Sequence, residues 1–253
     1  MNPNPSRPQI SIITVVFNSE KFLEETILSI INQTYKNIQY IIIDGGSTDH
    51  TLDIIRKYED QIFFWISEPD KGLYDAMNKG MLKATGEYVW FINSGDKIYS
   101  AQTVENIFSG KKEYSDVYYG ETIIVDSQNK EIGMRRLKNP EQLTWKSFKM
   151  GMLVCHQAIL VRRTLAPPIN IEYRYSADFD WVVRILRKTD KIENTKQIIV
   201  RFLEGGFSRK NIRRSLNERF KVMTENYGVL PTILNHFIIS VKFFYFLFRY
   251  KRF

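Results

Sequence analysis

YIIIDGGSTD (residues 40–49) and YVWFINSGD (residues 88–96) are the two segments that decide which fold this sequence predicts. Each is an apolar run of strand-forming residues that ends in a carboxylate, Asp44 in the first and Asp96 in the second. In an open α/β sheet, ligands bind in the crevice beyond the carboxyl ends of the strands. Glycines stand beside both carboxylates and let a ligand approach the backbone closely. The two segments therefore predict a site for a nucleotide and a divalent cation.

The residues around these segments extend them into a regular alternation of strands and helices. The β-branched run at residues 10–17 is typical of a strand that is buried on both faces of a parallel sheet. Further strands are predicted at residues 38–43, 62–66 and 87–92, and helices at residues 51–58 and 73–84. This alternation favours a mostly parallel, doubly wound α/β sheet.

The pattern changes after about residue 110. Short strand-like segments are predicted at residues 116–119, 122–125 and 131–134, around a hairpin signature at 127–129. A helix with an apolar stripe follows Asp178. This part of the chain is therefore predicted to form a second structural half.

Composition bounds the class of protein. The 253 residues carry 36 Lys and Arg against 28 Asp and Glu, a net charge of +8 that favours anionic partners. Residues 209–253 hold ten of the basic and two of the acidic residues, so the excess lies in this tail. Cys155 is the single cysteine, which excludes an intrachain disulfide and a cysteine-rich zinc site and fits a reducing compartment. Without a signal peptide or a run of about 18 apolar residues, we expect a soluble or peripheral protein.

Five short segments follow one another within about 90 residues: SIITVVFN (11–18), DGGSTD (44–49), DKGLYDAMNKG (70–80), GEY (86–88) and NSGD (93–96). Together they resemble the donor half of the family 2 inverting glycosyltransferases, which have the GT-A fold. CHQ (155–157) and ADFD (177–180) also resemble this family. The resemblance implies a GT-A domain over residues 1–208, with a donor half at about 9–110 and an acceptor half at about 111–208. Residues 209–253 remain as a basic, aromatic-rich helical tail.

Asp96 is the predicted metal ligand. Mg²⁺ and Mn²⁺ prefer carboxylate oxygen and keep positions open for diphosphate oxygens. The family that the sequence resembles usually has an Asp-x-Asp cluster at this point. This chain keeps the last acid alone and has Asn93 and Gly95 where other members can be acidic. Metal binding before the nucleotide arrives is therefore predicted to be weak, and a role as a helix cap or turn residue is the alternative for Asp96. Asn93 and Gly95 are predicted to bind the donor nucleotide.

Three residues are predicted to contact the donor base. The resemblance implies that Asp44 faces the base, with capping of the following turn as the alternative. Phe17 and Asn18 come at the end of the first strand and are predicted to wall the base pocket. Packing in the core is the alternative for Phe17.

Three more residues are assigned to the rest of the donor. Lys71 is predicted to meet the diphosphate charge, unless it is an ordinary surface lysine. Asp75 and Asn78 lie three positions apart and so share one helix face. The resemblance implies that this face borders the donor sugar.

Asp178 is the predicted general base, because the resemblance aligns Ala177-Asp178 with an acidic pair that opens an acceptor-side helix in the family. Asp180 is the rival base. His156 is predicted to contact the diphosphate or the metal, or else to be a hydrogen-bonded core histidine. Cys155 and His156 are expected on a strand, where neighbours point to opposite faces, so they are not predicted to form a catalytic dyad.

The sequence thus predicts an inverting glycosyltransferase that moves a sugar from a nucleotide-diphosphate sugar to a hydroxyl of a glycan or lipid-linked acceptor. It would use Mg²⁺ or Mn²⁺ and act in the synthesis of cell-surface polysaccharide. A sugar nucleotidyltransferase and a non-catalytic basic module that binds membrane or nucleic acid stay open as alternatives. The first strand is followed by neither a dinucleotide-binding glycine motif nor a P-loop. No nucleic-acid-binding motif is found, so no nucleic-acid partner is expected.

The tail suggests a second partner. Residues 237–248 read FIISVKFFYFLF, and Arg249, Lys251 and Arg252 follow. As a helix this run is about 18 Å long, well short of a hydrocarbon core of about 30 Å. The tail is therefore predicted to lie on an anionic membrane surface, which would make the protein peripheral on the inner face of the cytoplasmic membrane. Packing against the catalytic domain or a dimer partner is the alternative, so a homo-oligomer stays open.

Overall fold

Strands and helices alternate through the first hundred residues, as the sequence predicts. The computed structural model describes residues 7–205 and 211–250. The strands are β1 Ile10–Val16, β2 Ile38–Asp44, β3 Phe64–Ser67, β4 Tyr88–Phe91, β5 Lys97–Ile98, β6 Val117–Val125, β7 Glu131–Met134, β8 Ile159–Arg162 and β9 Ile192–Leu203. The α-helices are α1 Leu23–Ile31, α2 Thr51–Lys57, α3 Leu73–Lys83, α4 Thr103–Phe108, α5 Ala177–Leu186, α6 Ile212–Tyr227 and α7 Val229–Tyr250.

The strands form one sheet in the order β3-β2-β1-β4-β8-β6-β9-β5, with β7 paired to β6. The first four strands are parallel to one another. The strand order reverses between β1 and β4, because β2 and β3 follow on one side of β1 and β4 lies on the other. A crevice beyond the carboxyl ends of β1 and β4 is the place where such a sheet binds a ligand.

The second half of the sheet is mixed. Strand β8 runs antiparallel to both β4 and β6, whereas β6 and β9 are parallel. The segments predicted at 116–119 and 122–125 form one strand, β6, whose pairing with β9 shifts register between Tyr119 and Thr122. The predicted hairpin with β7 is present. The predicted boundary at residue 208 lies outside the described residues, and the other domain boundaries stay predictions.

Strand β1 is the centre of the core. All seven of its residues are buried, as its β-branched sequence predicts. Helix α3 packs across β1 and β2. This close packing depends on Gly80 of α3, because a Cβ there would lie 2.4 Å from Cγ2 of Ile13. Helix α3 therefore covers β1 and β2 tightly.

We predict that Gly80→Ala destabilises the protein by about 1–3 kcal/mol, because the added methyl group overpacks the α3–β1 contact. Helix propensity alone predicts the opposite sign, a gain of up to about 1 kcal/mol. Urea unfolding of the two proteins measures the difference. Leu82→Ala, at an 85% exposed position of the same helix, is the matched control and should change the free energy of unfolding little. A stabilised Gly80→Ala variant would contradict the packing argument.

Candidate active site

The loops after β1 and β4 meet at the carboxyl edge of the sheet. Phe17 is 61% exposed there, so the alternative that it packs in the core is wrong. Asn18 has a left-handed backbone, with φ 45°, and its Oδ1 accepts the N–H of Thr48 at 2.9 Å. Ser19 Oγ lies 2.7 Å from Ser94 Oγ, which joins the two loops directly. The Phe17 ring is therefore exposed to solvent at the predicted donor position.

Asp44 is a turn residue in this structure. Its side chain is fully buried and accepts the N–H groups of Gly46 and Ser47 and the hydroxyls of Ser47 and Ser67. These bonds fix the turn that follows β2. The prediction that Asp44 faces the donor base is corrected here, because its carboxylate is enclosed by the turn.

Asp96 lies just beyond β4 and is 5% exposed. Its two oxygens accept hydrogen bonds from Gln157 Nε2 at 2.9 Å and from the Leu203 N–H at 3.0 Å. Burial raises the pKa of Asp96 to about 7, although these two hydrogen bonds and the charge of His156 act in the opposite direction. Gly95, with φ 97°, lets Leu203 come this close. The site thus holds a carboxylate whose negative charge is poorly compensated by protein groups.

Asn93 adds an oxygen to this edge of the sheet. Its Oδ1 is buried and has no hydrogen-bond partner among the residues that the structure describes. Buried polar atoms are usually paired, so an unpaired one suggests that a ligand supplies the partner.

Residues 155–157 form a turn, where the sequence predicted a strand. His156–Ala158 is a 3-10 helix that begins after Cys155. The Trp90 indole N–H donates to the Gln157 carbonyl at 2.6 Å, and the Cys155 thiol donates to Gln157 Oε1. The turn is therefore fixed against β4, and it directs Gln157 toward Asp96.

His156, which precedes Gln157 on this turn, contacts the Asp178 carboxylate. Its Nδ1 lies 3.0 Å from Asp178 Oδ2, and the Tyr74 hydroxyl donates to Oδ1 at 3.0 Å. Burial alone would raise the pKa of Asp178, but the hydrogen bond and charge of His156, with Tyr74 and Arg219, hold that pKa below its ordinary value. The Asp178 side chain keeps 21% of its exposure. It is an ionised carboxylate that a substrate can reach.

The structure fits one of the two interpretations of His156 and leaves the other open. His156 is 8% exposed and its Nδ1 is paired with the Asp178 carboxylate, as in the predicted hydrogen-bonded core histidine. Its Nε2 is buried and has no hydrogen-bond partner within residues 7–205 and 211–250. Contact of this nitrogen with a diphosphate or metal stays a prediction.

Tyr74 was missed by sequence reasoning, although it lies inside the quoted segment 70–80. Burial and the neighbouring Asp178 raise the pKa of Tyr74 well above its ordinary value, so the hydroxyl keeps its proton and donates a hydrogen bond to the carboxylate. The available signal was a tyrosine within the largely polar segment DKGLYD (70–75).

Asp180, the rival base, points elsewhere. Its Oδ2 accepts a 2.7 Å hydrogen bond from Arg184 Nε, one turn along α5, and its Oδ1 lies 3.4 Å from Asn226 Nδ2. This ion pair argues against Asp180 as the base and leaves Asp178 as the candidate.

Helix α3 gives a mixed outcome for the predicted donor-sugar face. The Asn78 amide forms two 2.8 Å hydrogen bonds with the backbone of Ile169, so it joins α3 to the second half and is not free to hold a sugar. Asp75 accepts the N–H of Lys71 and lies 3.8 Å from Lys79 Nζ. Lys71 itself is exposed. Asp75 and Lys71 remain candidates at the start of α3, whereas Asn78 is corrected to a structural role.

No group of three or more His, Cys, Asp or Glu side chains in the described ranges is arranged to hold a metal ion. A cation at Asp96 would need ligands of other kinds, such as the Asn93 oxygen or a bound diphosphate.

Comparison with known proteins decides the family. Residues 11–166, more than half of the 253, match the family described as Glycosyl transferase family 2. The chain belongs to this family. The glycosyltransferase is 32% identical over 227 residues to the PGL/p-HBAD biosynthesis glycosyltransferase of Mycobacterium bovis, which covers 86% of each chain. It is 33% identical over 189 residues to an uncharacterized glycosyltransferase of Mycobacterium tuberculosis, covering 71% of this chain and 69% of the relative. The prediction of an enzyme is confirmed.

Solved structures show the fold of the glycosyltransferase. Staphylococcus aureus TarS, residues 1–349, superposes with a TM-score of 0.68 at 17% identity, over 92% of this chain and 72% of TarS. The mannosyltransferase PcManGT from Pyrobaculum calidifontis gives 0.61 at 13% identity, over 94% of this chain and 76% of that one. The predicted GT-A fold is confirmed.

The raised pKa of Asp96 makes the stability of the glycosyltransferase depend on pH. Between the ordinary carboxyl value, about 4, and about 7, the folded chain binds more protons than the unfolded chain. The free energy of unfolding therefore falls as pH rises through this window. The variant Asp96→Asn lacks this titrating group. As the pH rises from 5 to 8, we predict that the free energy of unfolding of the wild type falls by on the order of 2 kcal/mol relative to that of the variant.

Urea unfolding in EDTA at both pH values measures this effect. Asp60→Asn, which removes an exposed carboxyl, is the control and should follow the wild type. Parallel pH dependence of Asp96→Asn and the wild type would contradict the burial argument.

Proposed function

We propose that this glycosyltransferase uses a nucleotide-diphosphate sugar and transfers the sugar, with inversion, to a hydroxyl of a glycan or lipid-linked acceptor. The observation that carries the proposal is the partly exposed Asp178 carboxylate, held by His156 and Tyr74 and joined to Asp96 through one turn. The donor class is supported by related folds. TarS has been crystallised with UDP and with UDP-GlcNAc, and PcManGT with GDP-Man and Mn²⁺.

Asp178 is the proposed general base. Its lowered pKa keeps it ionised at neutral pH, so it can accept the proton of an acceptor hydroxyl. The hydroxyl oxygen then forms a bond to the anomeric carbon while the bond from that carbon to the diphosphate oxygen breaks. This single displacement inverts the anomeric configuration. His156 and Tyr74 orient the carboxylate, because each donates to a different oxygen.

The donor would bind along the carboxyl edge of β1 and β4. The exposed ring of Phe17 offers a flat apolar surface on which the base can stack. Lys71, exposed at the start of α3, can reach anionic oxygen, and Asp75 nearby can accept hydrogen bonds from sugar hydroxyls. These roles follow from exposure and chemistry at this edge.

A divalent cation fits the residues around Asp96. The Asp96 carboxylate is buried without a full counter-charge. The Oδ1 of Asn93, three residues earlier in the sequence, has no hydrogen-bond partner among the described residues. Asp96 and Asn93 would hold Mg²⁺ or Mn²⁺, since hard cations take oxygen ligands. Bound there, the ion would neutralise charge on the leaving diphosphate. Asp96 shares its oxygens with Gln157 and Leu203, so we expect weak binding before the nucleotide arrives.

A panel of nucleotide-diphosphate sugars, incubated with Mg²⁺, Mn²⁺ or EDTA, tests the proposed donor class. We predict hydrolysis of one donor to a nucleoside diphosphate, with loss of activity in EDTA. A full-strength reaction in EDTA would contradict the cation, and release of pyrophosphate would indicate a nucleotidyltransferase instead. Analysis of the transferred sugar by NMR reports whether the configuration is inverted.

We predict that Asp178→Asn lowers turnover by about 10²–10⁴-fold, because an amide of the same size cannot accept the proton. Donor affinity should stay near the wild-type value. Asp180→Asn is the matched control, two positions away on α5, and should keep most of the activity. Isothermal titration with the donor and initial-rate measurements on both variants decide the assignment. A dead Asp180→Asn with a normal Asp178→Asn would move the base to Asp180.

A further inference from the structure

Between residues 229 and 241, helix α7 turns Thr232 and His236 toward the protein and exposes a stripe of apolar residues. On the inner side Thr232 is fully buried, and His236 packs against the ring of Phe220 of α6, with ring centroids 5.0 Å apart. The outward residues, which form the apolar face of α7, are 52–81% exposed: Leu230, Ile233, Leu234, Phe237 and Val241. Their spacing of three and four positions puts them on one stripe. A surface helix of a soluble domain has the opposite arrangement.

This face is a continuous apolar surface. Single exposed apolar residues need no explanation, but a stripe of five on one helix indicates a partner. No helix in the described parts of the chain is long and apolar enough to cross a membrane. A partner that covers this stripe lies along the side of the helix.

Charge selects the kind of partner. Residues 226–253 contain four Lys and Arg and no Asp or Glu. A second copy of this chain carries the same basic excess in this segment and therefore offers it no opposite charge. An anionic lipid surface covers the apolar stripe and attracts the basic residues at the same time.

We propose that the apolar face of α7 lies in the interface of an anionic membrane. The 22 residues of α7 extend about 33 Å, and the helix lies parallel to the bilayer plane with its apolar side chains among the acyl chains. The basic excess of residues 226–253 favours anionic headgroups over a neutral surface. The bound surface would belong to the cytoplasmic face of the membrane, in keeping with the localisation predicted above. Membrane binding needs no sugar transfer, so it can be tested independently of the proposed function.

Co-sedimentation with vesicles tests the proposal with the full chain. We expect binding to phosphatidylcholine vesicles that contain phosphatidylglycerol, weaker binding in high salt, and little binding to phosphatidylcholine alone. Leu230→Glu with Leu234→Glu should weaken vesicle binding by roughly tenfold or more. Phe63→Glu with Leu82→Glu is the matched control. It adds the same charge at two apolar positions that are 66% and 85% exposed on the donor half, and it should bind as the wild type does.

Two further measurements keep the test decisive. Hydrogen exchange of the wild type, with and without vesicles, should show protection at residues 229–241, so a tail variant that fails to fold does not leave the question open. Analytical ultracentrifugation measures the oligomeric state and so shows whether a second copy of the chain covers this face instead. The proposal is overturned if the protein does not sediment with vesicles, if it binds neutral vesicles equally well, or if the Leu230→Glu, Leu234→Glu variant binds as the wild type does. It is also overturned if vesicles protect another part of the chain, or if the wild type is a dimer that this variant dissociates.

Discussion

The two acidic side chains of the candidate active site, Asp178 and Asp96, are held by neighbouring residues of one short 3-10 turn. His156 pairs with Asp178, and Gln157 donates to Asp96. The turn itself is fixed by the Trp90 indole, which donates to the Gln157 carbonyl from within β4. Strand β8 begins directly after the turn and pairs with β4. The separation of the two carboxylates is therefore set by the backbone of one turn, and a shift in that turn would move both. Substrate positioning to within a fraction of an ångström requires a rigid support of this kind.

The two carboxylates have opposite electrostatic environments because their partners differ. Asp178 has an imidazole, a phenol hydroxyl and a nearby guanidinium, and its pKa is lowered despite partial burial. Burial raises the pKa of Asp96 to about 7, because the amide and the backbone N–H that donate to it offset the cost of burial only in part. Asp178 is thus stable as an anion in the protein alone. The negative charge of Asp96 is only partly compensated by the protein groups around it. Carboxylates with pKa values shifted apart by their surroundings are typical of active sites.

Much of the fold follows from local sequence, since a buried parallel strand needs a continuous β-branched run and that run is visible at 10–17. The acidic strand end at Asp96 was predictable for the same reason. Other features depend on contacts between distant segments. Tyr74 meets Asp178 across 104 positions, and Asn78 meets Ile169 across 91. The inward position of Thr232 and His236 in α7 likewise depends on packing against the rest of the chain, such as the contact of His236 with Phe220 of α6. Helical periodicity predicts such faces but not which of them turns inward.

Anomalous scattering from crystals grown with Mn²⁺ and the nucleoside diphosphate that inhibits turnover tests the central claim most directly. That claim is that the turn at residues 156–158 organises a single site from Asp96 and Asp178. We predict a manganese peak at about 2.1 Å from an Asp96 oxygen, with the diphosphate on the carboxyl edge of β1 and β4 and the His156–Asp178 pair intact. A manganese peak far from Asp96, with its carboxylate still bonded to Gln157 and Leu203, would contradict the account.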